Sequence, residues 1–311
     1  MSKILITGSD GLIGWAFRLL HDQEYKEDDE FIFCTRKDGN LINEDHVAKI
    51  YAKHKPDYVI HAAARVGGIG INLAKPAELF YENILMNSFM IHYAYLFNVK
   101  SIVSYSSVCT FPDDAPVLTE DLQQCGKPFD SNFAYGYAKR MIDIQNKAYK
   151  RQYGVNYFSI ISTNLYGPND NFSLTDGHVI PCLIHKCFLA KKNNDPLVIW
   201  GDGNSLREFI YSYDVAKLTM ELLKTEHGKD KIIVSNNNEL SIRQVVEMIC
   251  RCMNFDGEVI FDTSKPKGQY RRPSDTALLR GIIPDFQFTD HETGIKKSVD
   301  WFAKNYPDLR T

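Results

Sequence analysis

The sequence predicts an α/β fold: a doubly wound parallel sheet in the first half of the chain, followed by a smaller, mixed α/β lobe. Three observations carry this. Short β-rich apolar runs alternate with longer helical patterns over the first 165 residues. The first run passes straight into a glycine-rich turn and then a helix, and beyond Tyr166 turn residues crowd together. Apolar runs that do not alternate with polar residues are strands buried on both faces, as in a parallel sheet covered by helices.

The elements follow in order. Lys3–Thr7, Phe31–Thr35, Asp57–His61, Ser101–Ser106 and Asn156–Ile161 are expected as strands. Helical patterns fall near Gly11–Leu20, Glu44–His54, Ala77–Phe97 and Phe133–Tyr153, each preceded by turn or capping residues. After Tyr166, Pro, Gly, Asn and Asp cluster at Gly167–Asp170, Asn193–Pro196, Gly201–Asn204 and Lys265–Gly268, with short, mixed elements between them. The reading is of a domain over residues 1–165 and a second lobe over 166–311, with Phe209–Leu223 returning to the sheet.

Composition removes several classes of function. At 311 residues and 44% hydrophobic, the chain can bury a large core, as one large domain or two smaller ones. A net charge of −3 and the lack of like-charge runs provide no long-range attraction to nucleic acid or anionic lipid. The N-terminal MSKILITGSDGLIG reads as a strand and turn rather than a basic-then-apolar leader, and no long uncharged apolar run follows. A cytoplasmic protein is expected, neither secreted nor inserted in a membrane. The seven cysteines, at 34, 109, 125, 182, 187, 250 and 252, lack metal-type CxxC spacing, so reduced thiols are expected, with no disulfide and no metal site.

The strand, glycine turn and helix around Gly8-Ser-Asp-Gly11-Leu12-Ile13-Gly14 form a Rossmann-type context for a dinucleotide pyrophosphate. Glycines at 8, 11 and 14 let the backbone approach the phosphates, and the amides opening the helix supply donors and positive potential. Past the second strand, where an acidic side chain would hold the ribose of NAD, stands Arg36, which favours a 2′-phosphate and hence NADP. Asp10 in the loop opposes that added charge.

Tyr135 and Lys139 are four residues apart in a helical stretch and share one face. An ammonium one turn from a phenol is expected to favour the phenolate, bringing its pKa down from about 10 towards neutrality. Ser107 ends the fourth strand, where open α/β sheets bind ligands, and is placed to donate to a substrate oxygen.

Ser107, Tyr135 and Lys139 in that order behind a GxxGxxG loop resemble the extended short-chain dehydrogenase/reductase family over nearly the whole chain. Further segments look like its members that process nucleotide-linked 4-ketosugars: His61-Ala-Ala63-Ala-Arg-Val-Gly-Gly68, Ser162-Thr-Asn-Leu-Tyr-Gly-Pro-Asn-Asp-Asn-Phe172, Gly177-His-Val-Ile-Pro181, Trp200-Gly-Asp-Gly, Arg207-Glu-Phe209 and Phe261-Asp-Thr-Ser-Lys-Pro266. The resemblance implies NADPH-dependent epimerisation at C3 and C5, then reduction at C4, of GDP-4-keto-6-deoxymannose to GDP-L-fucose. It implies that Cys109 and His178 move the ring protons, that Tyr135 protonates the C4 oxygen, and that Lys139 and Ser107 orient and hold. Gly8, Gly11, Leu12, Ile13, Gly14, Arg36, Ala63, Lys139 and His178 would line the cofactor, and Asn164, Val179, Trp200, Arg207 and Arg272 the nucleotide half of the substrate. The helices near Ala77–Phe97 and Phe133–Tyr153 would pair across a homodimer as a four-helix bundle.

Alternatives stay open at this point. Lys267 replaces a usual Asp and Arg272 a frequent Lys, so a UDP- or dTDP-linked ketosugar competes with the GDP sugar. A nucleotide-sugar 4-epimerase would use Tyr135 and Lys139 without needing Cys109 and His178. A 4,6-dehydratase would want an acidic pair after the fourth strand, which Ser107-Val-Cys109 lacks. The non-enzymatic reading is a nucleotide-binding regulatory protein.

Overall fold

Runs such as Lys-Ile-Leu-Ile-Thr put a side chain on each face of a strand alternately, and here both faces are apolar. Ile4, Leu5 and Ile6 are all fully buried, which requires helices above and below. The computed structural model, which describes residues 1–25, 29–264 and 270–309, has that arrangement. Its strands are β1 (Lys3–Thr7), β2 (Glu30–Cys34), β3 (Tyr58–His61), β4 (Ser101–Ser107), β5 (Asn156–Ser162), β6 (Asn164–Tyr166), β7 (Leu197–Trp200), β8 (Leu206–Tyr211), β9 (Lys231–Val234), β10 (Glu239–Ser241) and β11 (Val259–Asp262). Its α-helices are α1 (Leu12–Leu20), α2 (Glu44–His54), α3 (Ile69–Ala74), α4 (Pro76–Leu96), α5 (Phe133–Tyr153), α6 (Val179–Asn193), α7 (Ser212–Lys224), α8 (Ile242–Met253), α9 (Ala277–Ile282) and α10 (His291–Asn305).

The main sheet is parallel throughout, in the order β2-β1-β3-β4-β5-β9. The winding direction reverses between β1 and β3, so the carboxyl ends of those strands open a crevice suited to a ligand. One face packs against α1 and α7 through Phe17, Leu20, Leu218 and Leu222, and the other against α2, α4 and α5 through Tyr51, Met90 and Ile142. Local sequence explains the helix ends. Asn43 accepts the His46 amide to cap α2, and Gly154 stops α5 at a φ of +71°, open to glycine at no steric cost.

The second lobe is more helical than turn clustering suggested. α6, α8 and α10 pack around Phe172, Ile184, Phe209, Ile249 and Phe302 as a second core. The stretch expected to return to the main sheet divides in two. β8 pairs with β6 and β10 in a separate three-stranded sheet, whereas α7 packs on the main sheet beside α1. Within β8, Phe209 and Tyr211 face the second core and Ile210 the first, so this strand joins the two. The strand that extends the main sheet is β9, further along.

All seven cysteines are free thiols. Among the described residues no helix is long and apolar enough to cross a membrane. Lys265 to Gln269, and with them the Lys267 substitution, lie outside the described residues.

Candidate active site

At the end of β1, Gly8 takes a φ of +69° and a Cβ there would sit 2.7 Å from the Ala63 nitrogen. A Cβ on Gly14 would meet the Ser9 Cα at 2.3 Å, so the first turn of α1 lies against the loop only because residue 14 lacks a side chain. Gly11 is the N-cap residue, and the first backbone bond along α1 runs from the Trp15 amide to the Gly11 carbonyl. The amides of Leu12, Ile13 and Gly14 precede that bond and are the donors a helix N-terminus offers to an anion. Across the crevice Ala63 follows β3, its amide donating to Thr7 Oγ1 at 3.2 Å. Arg36 follows β2 and is exposed, and the nearby Asp38 carboxylate is engaged by the Thr35 amide and hydroxyl at 2.8 and 3.0 Å. This glycine cradle, with its amides and adjacent guanidinium, fits a dinucleotide pyrophosphate and a ribose phosphate.

Ser107 closes β4, and its Oγ accepts the Cys109 amide at 3.2 Å, starting a short turn that carries a half-buried thiol. Tyr135 and Lys139 rise from α5 beside this turn. Gly136 lets the helix approach, since a Cβ there would stand 2.9 Å from the Cys109 carbonyl oxygen. Lys139 is 2% exposed and donates to the Tyr105 carbonyl at 2.8 Å, with its Nζ 5.9 Å from the centre of the Tyr135 ring.

Burial brings Lys139 down to about 8. The expected lowering of the phenol is reversed: burial, with the neighbouring Cys109 adding to it, pushes Tyr135 well above an ordinary phenol. The nearby ammonium is turned to a backbone carbonyl, and desolvation sets the direction. Tyr135 is thus a protonated donor at neutral pH.

His178 is the N-cap residue of α6 and is exposed. Its loop is tight, because a Cβ on Gly177 would meet the Ser173 carbonyl at 2.4 Å, and Asp176 lies against Gly68 in the segment after β3. Val179 begins α6 and is 40% exposed. Trp200 ends β7, is 62% exposed, and has the Lys186 ammonium 5.2 Å from its ring centre. Asn164 is tied to the Glu208 carbonyl at 2.8 Å.

Arg207 and Arg272 are half-buried, and the Arg207 charge is felt at Arg272. The intervening carboxylate, Glu208, is taken up elsewhere, by the Ser274 amide at 3.0 Å, the Ser274 hydroxyl, and the Ser235 hydroxyl at 2.9 Å. Among the described residues neither guanidinium is hydrogen-bonded or ion-paired to a carboxylate. Burial lowers both, and at Arg272 the Arg207 charge adds to it while Cys109 and the Asp113 carboxylate pull the other way. Two such guanidiniums at one place suit a diphosphate. Arg272 also donates to the Pro112 and Phe111 carbonyls at 2.7 and 3.3 Å, which the sequence did not suggest, because those partners are some 160 residues away along the chain.

Ser107, Cys109, Tyr135, Lys139, Arg207 and Arg272 therefore share one neighbourhood at the carboxyl end of β4. His61 is 1% exposed with both ring nitrogens engaged, by Thr7 Oγ1 at 2.8 Å and Asn87 Oδ1 at 3.0 Å. Burial and the Lys139 charge hold it down to about 3, neutral at every physiological pH.

The NAD dependent epimerase/dehydratase family matches residues 4–235. The chain belongs to that family. Within it, a GDP-L-fucose synthase of Dictyostelium discoideum is 42% identical over 99% of this chain and 97% of its own. The Escherichia coli K12 GDP-L-fucose synthase is 32% identical over 99% and 98%. The crystal structure of a GDP-L-fucose synthetase from Naegleria fowleri bound to NADP superposes with a TM-score of 0.94 at 37% identity, covering 100% of this chain and 95% of that one. The likeness runs over the whole chain, the glycine cradle and the second lobe included.

Proposed function

We propose that this protein is an NADPH-dependent 3,5-epimerase and 4-reductase that converts GDP-4-keto-6-deoxy-D-mannose to GDP-L-fucose. The observation that carries the reading is the thiol of Cys109 two residues beyond Ser107, against the helix that bears Tyr135 and Lys139. Reduction at C4 needs the serine, tyrosine and lysine; it has no need of the thiol. Inverting C3 and C5 beside a ketone needs a base and an acid on opposite ring faces, and Cys109 with His178 supplies them. The full-length likeness to GDP-L-fucose synthases supports the same substrate.

In this reading the carbonyl at C4 acidifies the protons at C3 and C5. Cys109 takes each one, and His178 returns a proton from the other face. Ser107 donates to the C4 oxygen, and Tyr135, held protonated by burial, delivers its proton as that oxygen becomes an alkoxide. NADPH supplies the hydride. Lys139 orients the ribose, the amides of Leu12, Ile13 and Gly14 hold the pyrophosphate, and Arg36 holds the 2′-phosphate. Arg207 and Arg272 bind the substrate diphosphate, with Asn164, Val179 and Trp200 around the base and its ribose.

The protein acts in the cytoplasm as a homodimer. The support is the outer face of α4 and α5, which leaves Phe80, Tyr81, Met141, Ile144 and Tyr153 between 38% and 60% exposed, an apolar stripe suited to a four-helix seam. The test of the substrate is NADPH consumption with GDP-, UDP- and dTDP-linked 4-keto-6-deoxyhexoses. Selective turnover of the GDP sugar is expected, and equal or better turnover of another nucleotide refutes the assignment.

A further inference from the structure

Arg140 follows Lys139 on α5, yet its guanidinium is 3% exposed and has no hydrogen-bonded or ion-paired carboxylate among the described residues. A buried cation is retained only where its donors are satisfied. Its Nε donates to the Thr110 carbonyl at 2.6 Å, Nη1 to Gly126 at 2.9 Å and Nη2 to Cys125 at 3.0 Å. The Gln124 side chain bonds back to the Arg140 carbonyl at 3.3 Å. All the accepting carbonyls belong to the loop that leaves β4, and the first is the residue after Cys109. From the other side Arg272 takes the next two carbonyls, Phe111 and Pro112. The backbone beyond the thiol is thus held at three successive positions by two guanidiniums, while Gly136 sets the helix against the Cys109 carbonyl itself.

We infer that Arg140 is a positioning residue for epimerisation: it touches no substrate atom, but fixes the Cys109 turn to the helix that carries Tyr135, so that the base for C3 and C5 and the acid for C4 move as one rigid unit. The inference rests on the reaction proposed above. A planar fork of donors spans three carbonyls, whereas a lysine ammonium is a single point that does not. Reduction draws on Ser107, Tyr135 and Lys139, which the strand and the helix hold directly, so losing the clamp should penalise only the thiol. A displacement of the thiol by about 1 Å is enough to cost about 100-fold in a proton transfer.

The test uses Arg140→Lys and, independently, Gly136→Ala, whose added Cβ would crowd the Cys109 carbonyl at 2.9 Å while leaving Arg140 intact. Folding of each is verified by circular dichroism. In ligand-free protein, iodoacetamide labelling mapped by mass spectrometry should find Cys109 alkylated several-fold faster in both variants, with Cys252 unchanged. With substrate, deuterium entry from solvent at C3 and C5 should fall 10- to 100-fold, while NADPH oxidation with the already epimerised GDP-4-ketosugar stays within about threefold of wild type. Wild-type labelling rates at Cys109 in both folded variants, or exchange and hydride transfer falling in parallel, would overturn the clamp. A wild-type protein inert toward the GDP-ketosugar would instead overturn the reaction assigned above, and the labelling rates would still decide the role of Arg140.

Discussion

Replacing Lys139 by methionine tests how strongly burial acts at the site. The ammonium is 2% exposed, hydrogen-bonded to one carbonyl, and held down to about 8 from an ordinary 10.5. Below about pH 8 both folded and unfolded chains carry this proton, and the full cost of burying the charge is present and constant. Between about pH 8 and 10.5 the unfolded chain holds the proton more tightly than the folded one, so folded stability rises with pH as that cost is relieved. At about 1.4 kcal/mol per pKa unit, wild type should gain roughly 2 kcal/mol between about pH 7 and pH 9.5 relative to Lys139→Met. The orphaned Tyr105 carbonyl in the variant costs about 1–3 kcal/mol, but equally at each pH. Urea unfolding of both proteins at half-unit pH steps, followed by fluorescence, reads the difference directly. A wild-type minus variant stability that is flat across this window would refute the buried ammonium, and an opposite slope would mean that the charged form is stabilised in the folded protein.

Other predictions bear on separate parts of the site. Tyr135→Phe keeps the ring but removes the proton donor, so C4 reduction should fall by about 100- to 10,000-fold while deuterium still enters C3 and C5; normal reduction would remove the phenol from the mechanism. Cys109→Ser should lose ring exchange with cofactor affinity unchanged, measured by NMR in deuterated solvent and by NADPH titration. Arg36→Ala should weaken NADPH about tenfold or more and NADH hardly at all, since only the former presents a 2′-phosphate; equal weakening contradicts that role. Gly8→Ala should destabilise the protein by about 1–3 kcal/mol and impair NADPH binding together, because residue 8 sits at a φ of +69° and its Cβ would press on the Ala63 amide.

Sequence periodicity located the first half of the fold closely, and the reason is local. β1, α2 and α5 have the ends expected from their patterns, since Asn43 and Gly154 mark helix termini and the burial of β1 follows from its uninterrupted apolar run. In the second half the turn residues were real but drew attention from the helices between them. Ile180, Leu183, Ile184 and Cys187 on α6 repeat at helical spacing, so this helix does have a local signal. β6 and β10, of three residues each, are defined by their pairing with β8, which no local pattern encodes. Motif order brought the catalytic candidates together on paper, but the ionisation of Tyr135 depends on how deeply α5 is buried, a property of the whole fold. The carbonyl partners of Arg140 and Arg272 were equally invisible, since main-chain oxygens carry no sequence signature.

The most direct measurement is one turnover experiment in deuterated water with protonated NADPH and GDP-4-keto-6-deoxy-D-mannose, analysed by NMR of the product. The account predicts GDP-L-fucose carrying deuterium at both C3 and C5, with one NADPH consumed per product molecule. A reduced sugar with no ring deuterium, or epimerised product formed without consumption of NADPH, would contradict it.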